Sequence, residues 1–445
     1  MSIPMLLPPY LLESIAIRGS EQEARIAQET LRHDAALRAA RAVGGARPGA
    51  AADAGTPGRA NRVIHDARST ETLPGTQVRA EGEPATGDAA TDEAYDGLGA
   101  TWTLFFDAFG RDSLDGRGMQ LLGTVHFGQN YANAFWDGQQ MVFGDGDGER
   151  FNRFTASIDV IGHELTHGVI EFTAGLRYQG QSGALNESIS DVFGSLVRQQ
   201  SRAETAETAD WLIGAELFTD LVQGDALRSM IAPGTAYDDP VLGKDPQPAH
   251  MDGFVHTTSD NGGVHINSGI PNKAFQLAAT ALGGNAWERA GQVWFNALTG
   301  GQLRPDCDFA TFAQLTIDAA TAIDAKTQAA VEQAWAAVGV APGVAEVPAT
   351  APLAANTKLH LTRSGGFAGI TKERDFELSE LSEPDAEGWQ RLVGGSELND
   401  LSRVSEMHPD GFVYHVACDQ VPLEVQLPEP ALPAAVKELF QRTLG

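Results

Sequence analysis

Residues Ile158–Glu171 read IDVIGHELTHGVIE and hold, at His163-Glu164-Leu165-Thr166-His167, the pattern H-E-x-x-H. On an α-helix, positions four apart lie one turn above each other on a single face, so His163 and His167 can hold one metal ion. Glu164 then sits beside the ion, within reach of a water. Two imidazoles at this spacing suit tetrahedral zinc, and the carboxylate suits a general base. The same pattern also arises by chance in ordinary helices, so a third ligand at a matching distance has to decide.

Downstream, Gly183–Asp191 reads GALNESISD, and Glu187 stands 24 residues after His163. Between them lie Gly175 and the turn-rich YQGQSG, room for one helix to end and a second to face it. Two histidines and one glutamate leave a fourth zinc position open, the arrangement of a catalytic rather than a structural site. Asp191, one turn past Glu187, is spaced to accept the second N–H of His163 and fix its tautomer, and Asn186 stands with it behind the ligands. Taken alone, Asn186, Glu187 and Asp191 are an ordinary polar helix face. The spacing to His163 sets them apart.

Five separated segments, in order, resemble the thermolysin-like zinc metallopeptidases: NAFWDG (133–138), MVFGDGDG (141–148), HELTH, GALNESISD and DNGGVHINSG (260–269). The resemblance spans residues 61–340 and implies an α+β fold: a β-rich N-terminal lobe, a helical C-terminal lobe and the zinc helix between them. It implies a neutral endopeptidase with His163, His167 and Glu187 on Zn2+ and Glu164 as base. It also implies that His265 and Tyr178 donate to the oxyanion while Asp260 orients and charges His265. By the same carry-over, Asn133, the backbone of Ala134 and Arg228 hold the peptide groups of a protein or peptide substrate. Phe151, Phe154, Val160 and Leu227 match the pocket for the residue after the scissile bond, and their apolar character implies bulky hydrophobic residues there. One departure concerns calcium. Asp159 and Asp210 match the family's double calcium site, but other matching positions hold Arg198, Leu212 and Ala215; calcium stays open as a cofactor, while Arg198 opposite two carboxylates could replace its charge with a salt bridge and puts the double site in doubt.

The balance of 31 Lys+Arg against 59 Asp+Glu gives a net charge of −28, which argues against nucleic acid or anionic membrane as partners. No apolar run approaches a membrane span. Cys307 and Cys418 lie far apart with no metal-like spacing, and read as buried thiols. His65, His126, His250, His256, His360, His408 and His415 have no spacing that ties them to the zinc pattern. The start, MSIPMLLPPYLLESIAIRGS, lacks a basic n-region, and Pro4, Pro8 and Pro9 break its apolar run. A cytoplasmic chain is therefore expected, with non-classical export left open.

Composition divides the chain. Residues 1–50 comprise a proline-bearing extended start and a helix over Glu21–Ala42, and PPYLL (8–12) resembles the propeptide of protealysin-like members of the family. Residues 51–60 and 341–355 read as Pro/Gly/Ala linkers, the first a processing site. They bound a catalytic domain over 61–340. Residues 356–445 then alternate like half-buried strands and end in a helical period. Within them SGGFAGI (364–370) resembles emfourin, a small protein inhibitor of protealysin-like enzymes, which makes the catalytic domain a candidate partner of this domain. Two functions are compatible with this organisation. One is a zinc endopeptidase made as a latent precursor; the other is an inhibitory or protein-binding chain whose peptidase fold mainly carries the C-terminal module. Intact Glu164, the three ligands and His265 favour the enzyme.

Overall fold

A computed structural model describes residues 3–44, 56–343, 353–365, 371–395, 397–405, 412–421 and 423–445. Two compact units emerge from the chain's internal contacts. One combines Pro4–Ala27 with the described part of 49–347; the other combines residues 28–44 with those described from 353 to 445.

The first unit opens with α1 (Pro9–Arg18) and the first turns of α2 (Glu21–Gly44). The expected extended start is helical from Pro9, because proline at the first helical position loses no hydrogen bond and brings the right φ. Next come β1 (Arg62–Asp66), β2 (Thr76–Ala80), α3 (Ala89–Phe109), β3 (Leu121–Val125), β4 (Ala134–Trp136) and β5 (Met141–Phe143). They form one sheet in the order β2-β1-β3-β5-β4. β1, β3 and β5 run parallel, while β2 and β4 are antiparallel edges. β4 lies inside the NAFWDG segment, 133–138. Its three residues are all buried and too few to show an alternation. α3 is capped by the Asp88 carboxylate, which accepts from the Thr91 amide, and ends on left-handed Gly110.

α4 (Ile158–Glu171) and α5 (Gly180–Arg202) come next and lie side by side. Their closeness depends on two glycines. A Cβ on Gly194 would stand 2.4 Å from the Asp159 carbonyl oxygen, and one on Gly162 would stand 3.1 Å from the Gly194 Cα. Small residues at this crossing bring α5 near enough for its side chains to reach those of α4. α5 also begins earlier than the turn-rich 178–183 implies. Gly183 is there because a Cβ would stand 2.4 Å from Val264 Cγ1. Two short antiparallel ladders follow, β6 (Leu212–Ile213) with β7 (Arg228–Ser229) and β8 (Asp238–Asp239) with β9 (Gly243–Lys244). Helices α6 (Asp260–Asn267), α7 (Gly269–Leu282), α8 (Ala290–Thr299), α9 (Phe309–Thr321) and α10 (Ala325–Ala337) complete a helical lobe. A β-rich lobe, a central helix and a helical lobe make up the expected α+β class.

The second unit has a four-stranded antiparallel sheet, ordered β11-β10-β12-β13, from β10 (Lys358–Gly365), β11 (Lys372–Glu377), β12 (Phe412–Cys418) and β13 (Leu423–Pro428). Leu361, Val416 and Val425 sit opposite one another on its buried face. α11 (Glu383–Gly394), α12 (Glu397–Val404) and α13 (Ala434–Leu444) pack there, with the Trp389 and Phe440 rings stacked at 5.0 Å. α11 and α12, between β11 and β12, are additions to the strands and terminal helix read from the sequence. Ala35, Ala39 and Ala42 of α2 belong to this same core. Of the SGGFAGI segment, residues 366–370 lie outside the described residues, as do 51–55 and 344–352 of the two linkers and His408. Cys307 is buried and Cys418 half-buried, and both are free thiols. No helix among the described residues is long and apolar enough to cross a membrane.

Candidate active site

α4 presents His163 and His167 on one face, and their Nε2 atoms stand 3.1 Å apart. Glu187 of α5 brings Oε2 to 3.5 Å from His163 Nε2 and Oε1 to 3.5 Å from His167 Nε2. Among the described residues these three are the one group whose ligand atoms, all within 4.8 Å of one another, match a metal site. Glu187 Oε2 has no hydrogen-bond partner although the residue is buried. An orphaned buried carboxylate oxygen facing two imidazole nitrogens is costly without a cation. The donor set, two nitrogens and a carboxylate oxygen, is the one zinc takes at catalytic sites.

Each ligand is held from behind. His163 Nδ1 lies 2.8 Å from Asp191 Oδ1, and His167 Nδ1 lies 2.7 Å from Asn186 Oδ1 and 3.1 Å from Ser190 Oγ. Both imidazoles thus turn Nε2 toward the shared point. Burial favours the neutral His167 ring and lowers its pKa to about 3. Asp191 is a hub: Arg228 donates to both of its oxygens at 2.8 Å, and Asn272 Nδ2 donates to Oδ2 at 2.8 Å. Burial opposes the Asp191 charge, but Arg228 and His163 outweigh it and hold the carboxyl well below its ordinary range. Arg228, expected to hold substrate, has two of its three nitrogens on Asp191. Asn272 and Ser190 were not singled out in the sequence. A fully buried asparagine on α7 shows its role only once the helices are folded.

Glu164 accepts from the Trp136 amide of edge strand β4 at 3.1 Å through Oε2, while its Oε1 is buried without a partner. Burial, then the Glu187 charge, push its pKa well above the ordinary carboxylate value. Across the site, His265 Nδ1 lies 2.6 Å from Asp260 Oδ1. Burial works against charge on this ring, yet Asp260 and Glu187 raise its pKa to about 9, so Nε2 is a donor at neutral pH. Tyr178 donates its hydroxyl to Glu187 Oε1, and that hydroxyl oxygen lies 3.2 Å from His265 Nε2. Phe151, Phe154, Val160 and Leu227 are all buried, with the two phenyl rings 6.1 Å apart.

Residues 5–7 run along the free edge of β4. Met5 forms an antiparallel bridge with Phe135, and the Leu6 amide donates to the Ala134 carbonyl at 3.1 Å. The Leu7 amide donates to Asn133 Oδ1 at 2.8 Å, and Asn133 Nδ2 donates to the Leu7 carbonyl at 3.4 Å. His265 Nε2 lies 2.9 Å from the Met5 carbonyl oxygen. Asn133, Ala134 and His265, three of the residues expected to meet a substrate, thus meet the chain's own N-terminal segment.

At the far end of α5, Arg198 bridges Asp210 at 2.7 Å, Glu216 at 3.5 Å and Asp159 at 3.6 Å. It also donates to the Leu212 carbonyl at 3.1 Å. Burial raises the Asp159 pKa to about 6 despite Arg198. Glu216 is an acid that the sequence reading passed over, because it is adjacent to Ala215, the position that was matched.

Family descriptions agree with this geometry. "Thermolysin metallopeptidase, catalytic domain" matches residues 56–171, "Thermolysin metallopeptidase, alpha-helical domain" matches 174–340, and "Emfourin" matches 361–444. The chain is 54% identical over 337 residues to an "Extracellular metalloprotease" of Pectobacterium carotovorum subsp. carotovorum, covering 75% of this chain and 96% of that protein. It is 49% identical over 344 residues to "Protease PrtS" of Photorhabdus sp. (strain Az29), covering 75% of this chain and 91% of that protein. The solved structure "Precursor of Protealysin, Metalloproteinase from Serratia proteamaculans" is similar at a TM-score of 0.70 and 53% identity, over 76% of this chain and all of that one. The cytoplasmic expectation is corrected here. A relative 54% identical over nearly its whole length is named extracellular, which points to secretion rather than a cytoplasmic location. With a His/His/Glu site on facing helices and family matches over both lobes, the chain belongs to the thermolysin metallopeptidases, zinc endopeptidases, and carries an emfourin domain after the catalytic lobes.

Proposed function

We propose that this chain is a secreted zinc endopeptidase, made latent by its own N-terminal segment, that cuts peptide bonds before bulky hydrophobic residues. The observation that carries the peptidase chemistry is the meeting of His163, His167 and Glu187 beside the unpartnered Oε1 of Glu164. Zinc held there supplies Lewis-acid polarisation of the scissile carbonyl and of the attacking water. Glu164, whose Oε1 is free in the buried site, takes a proton from that water and delivers it to the leaving nitrogen. His265, kept protonated by Asp260, and Tyr178 donate to the oxygen that gains charge. Strand β4 and Asn133 align an extended substrate by backbone hydrogen bonds, as they align residues 5–7. The buried phenyl groups of Phe151 and Phe154, with Val160 and Leu227, supply the apolar pocket.

Latency is supported by the substrate-like seat of residues 5–7, whose Met5 carbonyl accepts from His265, the donor otherwise assigned to the oxyanion. Leu6 and Leu7 are fully buried. Domain limits of 1–50, 51–60, 61–340, 341–355 and 356–445 fit this reading, with the cut in the first linker. The extracellular location is drawn from the named relative. Leu7→Asp puts a charge on the buried seat and is expected to raise peptide turnover by the intact, uncut chain by about tenfold or more. Equal turnover by intact wild type and Leu7→Asp would contradict latency through this segment.

A further inference from the structure

α2 serves two units in succession: residues 21–27 count with the catalytic lobes, and residues 28–44 count with the C-terminal domain. In the latter stretch Ala35, Ala39 and Ala42, spaced four and three apart, are 1%, 0% and 1% exposed. They share one core with Trp389, Leu392 and Leu439. Alanine at those positions lets the helix backbone lie close against the domain, and a Cβ on Gly388 of α11 would be 3.9 Å from the Val43 Cα.

Polar contacts lock the same seat. Arg391 of α11 donates Nε to the Ala42 carbonyl and Nη2 to the Val43 carbonyl at 3.5 Å. These are last-turn carbonyls of α2, the end of a helix that lacks internal donors and attracts a cation. Arg38, itself only 4% exposed, pairs with Asp400 of α12 at 3.5 Å. The face is apolar at its centre, charged at its edge and capped at its end.

We propose that residues 28–44 are a structural member of the C-terminal domain, so that a cut between 45 and 60 severs the backbone without freeing the N-terminal segment. Because the C-terminal domain comes after the catalytic lobes in the same chain, the cut segment stays tethered near millimolar effective concentration, by order of magnitude. Its consequence for activity rests on the latency reading above; its consequence for retention does not.

The test uses the full chain carrying Glu164→Gln, to prevent self-cleavage, with a specific-protease site inserted between residues 45 and 55. After cutting, gel filtration tracks the N-terminal fragment. It is expected to co-elute with the rest, also when Leu7→Asp removes its seat on β4. In that Leu7→Asp background, Ala39→Glu is expected to speed fragment loss by about tenfold or more, since it forces a charge into the apolar core. Arg391→Ala, which leaves the helix sequence and the apolar core untouched, should shift loss in the same direction by a smaller factor. Prompt loss of the fragment from the Leu7→Asp chain would overturn the proposal, and so would loss unaffected by both Ala39→Glu and Arg391→Ala. Failure of the latency reading shows separately, as unchanged turnover by intact Leu7→Asp chain with Glu164 in place while the fragment is still retained.

Discussion

Glu164 has one oxygen on the Trp136 amide and the other free in a buried site, the posture of a base waiting for a proton. Glu164→Gln preserves size and leaves His163, His167 and Glu187 as they are. It should therefore bind zinc at wild-type stoichiometry and lose activity by roughly 10²–10⁴-fold, the range general-base catalysis supplies. His163→Ala should lose both. Metal analysis beside peptide turnover checks this, and normal turnover by the Gln variant would remove Glu164 from the chemistry. A second residue, Glu397 at the start of α12, is buried with one oxygen unpartnered. Burial, with the Asp400 charge added and Arg38 opposing, raises its pKa to about 7. The folded chain thus holds this proton more tightly than the unfolded chain does. Stability is full below the unfolded carboxylate value, near ~4.3, and declines as pH climbs to about 7. Glu397→Gln should abolish that decline and gain about 1–3 kcal/mol at pH ~8 but little at pH ~4. Denaturant unfolding at the two pH values decides it, and a loss of stability at the higher pH counts against it.

At the scale of elements, the crossing of α4 and α5 makes the site, and Arg198 ties the end of α5 to its surroundings. Its guanidinium serves Asp159, Asp210 and Glu216 together. Arg198→Ala should destabilise by about 2–4 kcal/mol, somewhat less than a fully buried pair because Asp210 and Glu216 keep contact with water. With this cation in place, a calcium-selective chelator should leave the melting temperature of the wild type nearly unchanged. Calcium ions found at Asp159 and Asp210 would refute that. The sequence made α4 legible because H-E-x-x-H fixes a helical period. It concealed α1 behind Pro8-Pro9, β4 in a stretch too short to alternate, and the first turns of α5 behind small residues chosen for close packing. Asn272 stayed hidden for another reason: its partner Asp191 is distant in sequence, and a polar residue alone carries no sign of its burial.

At the scale of the molecule, the N-terminal segment is the part whose sequence said least and whose place says most. Its PPYLL motif suggested a propeptide, but only the folded chain puts Met5, Leu6 and Leu7 on β4 and residues 28–44 in the C-terminal core. The charge of −28 fits an enzyme acting on proteins rather than on nucleic acid. On the proposed function, the peptidase depends above all on zinc at His163, His167 and Glu187, whose ligand atoms lie within 4.8 Å of one another. The most direct test is a zinc titration of the processed, chelator-stripped chain, with cleavage of a peptide bearing a bulky hydrophobic residue after the scissile bond as the readout. We predict no turnover in the stripped protein and recovery that saturates at one zinc per chain. Full turnover in the stripped protein, or recovery indifferent to zinc, would contradict a zinc-dependent mechanism at these three ligands.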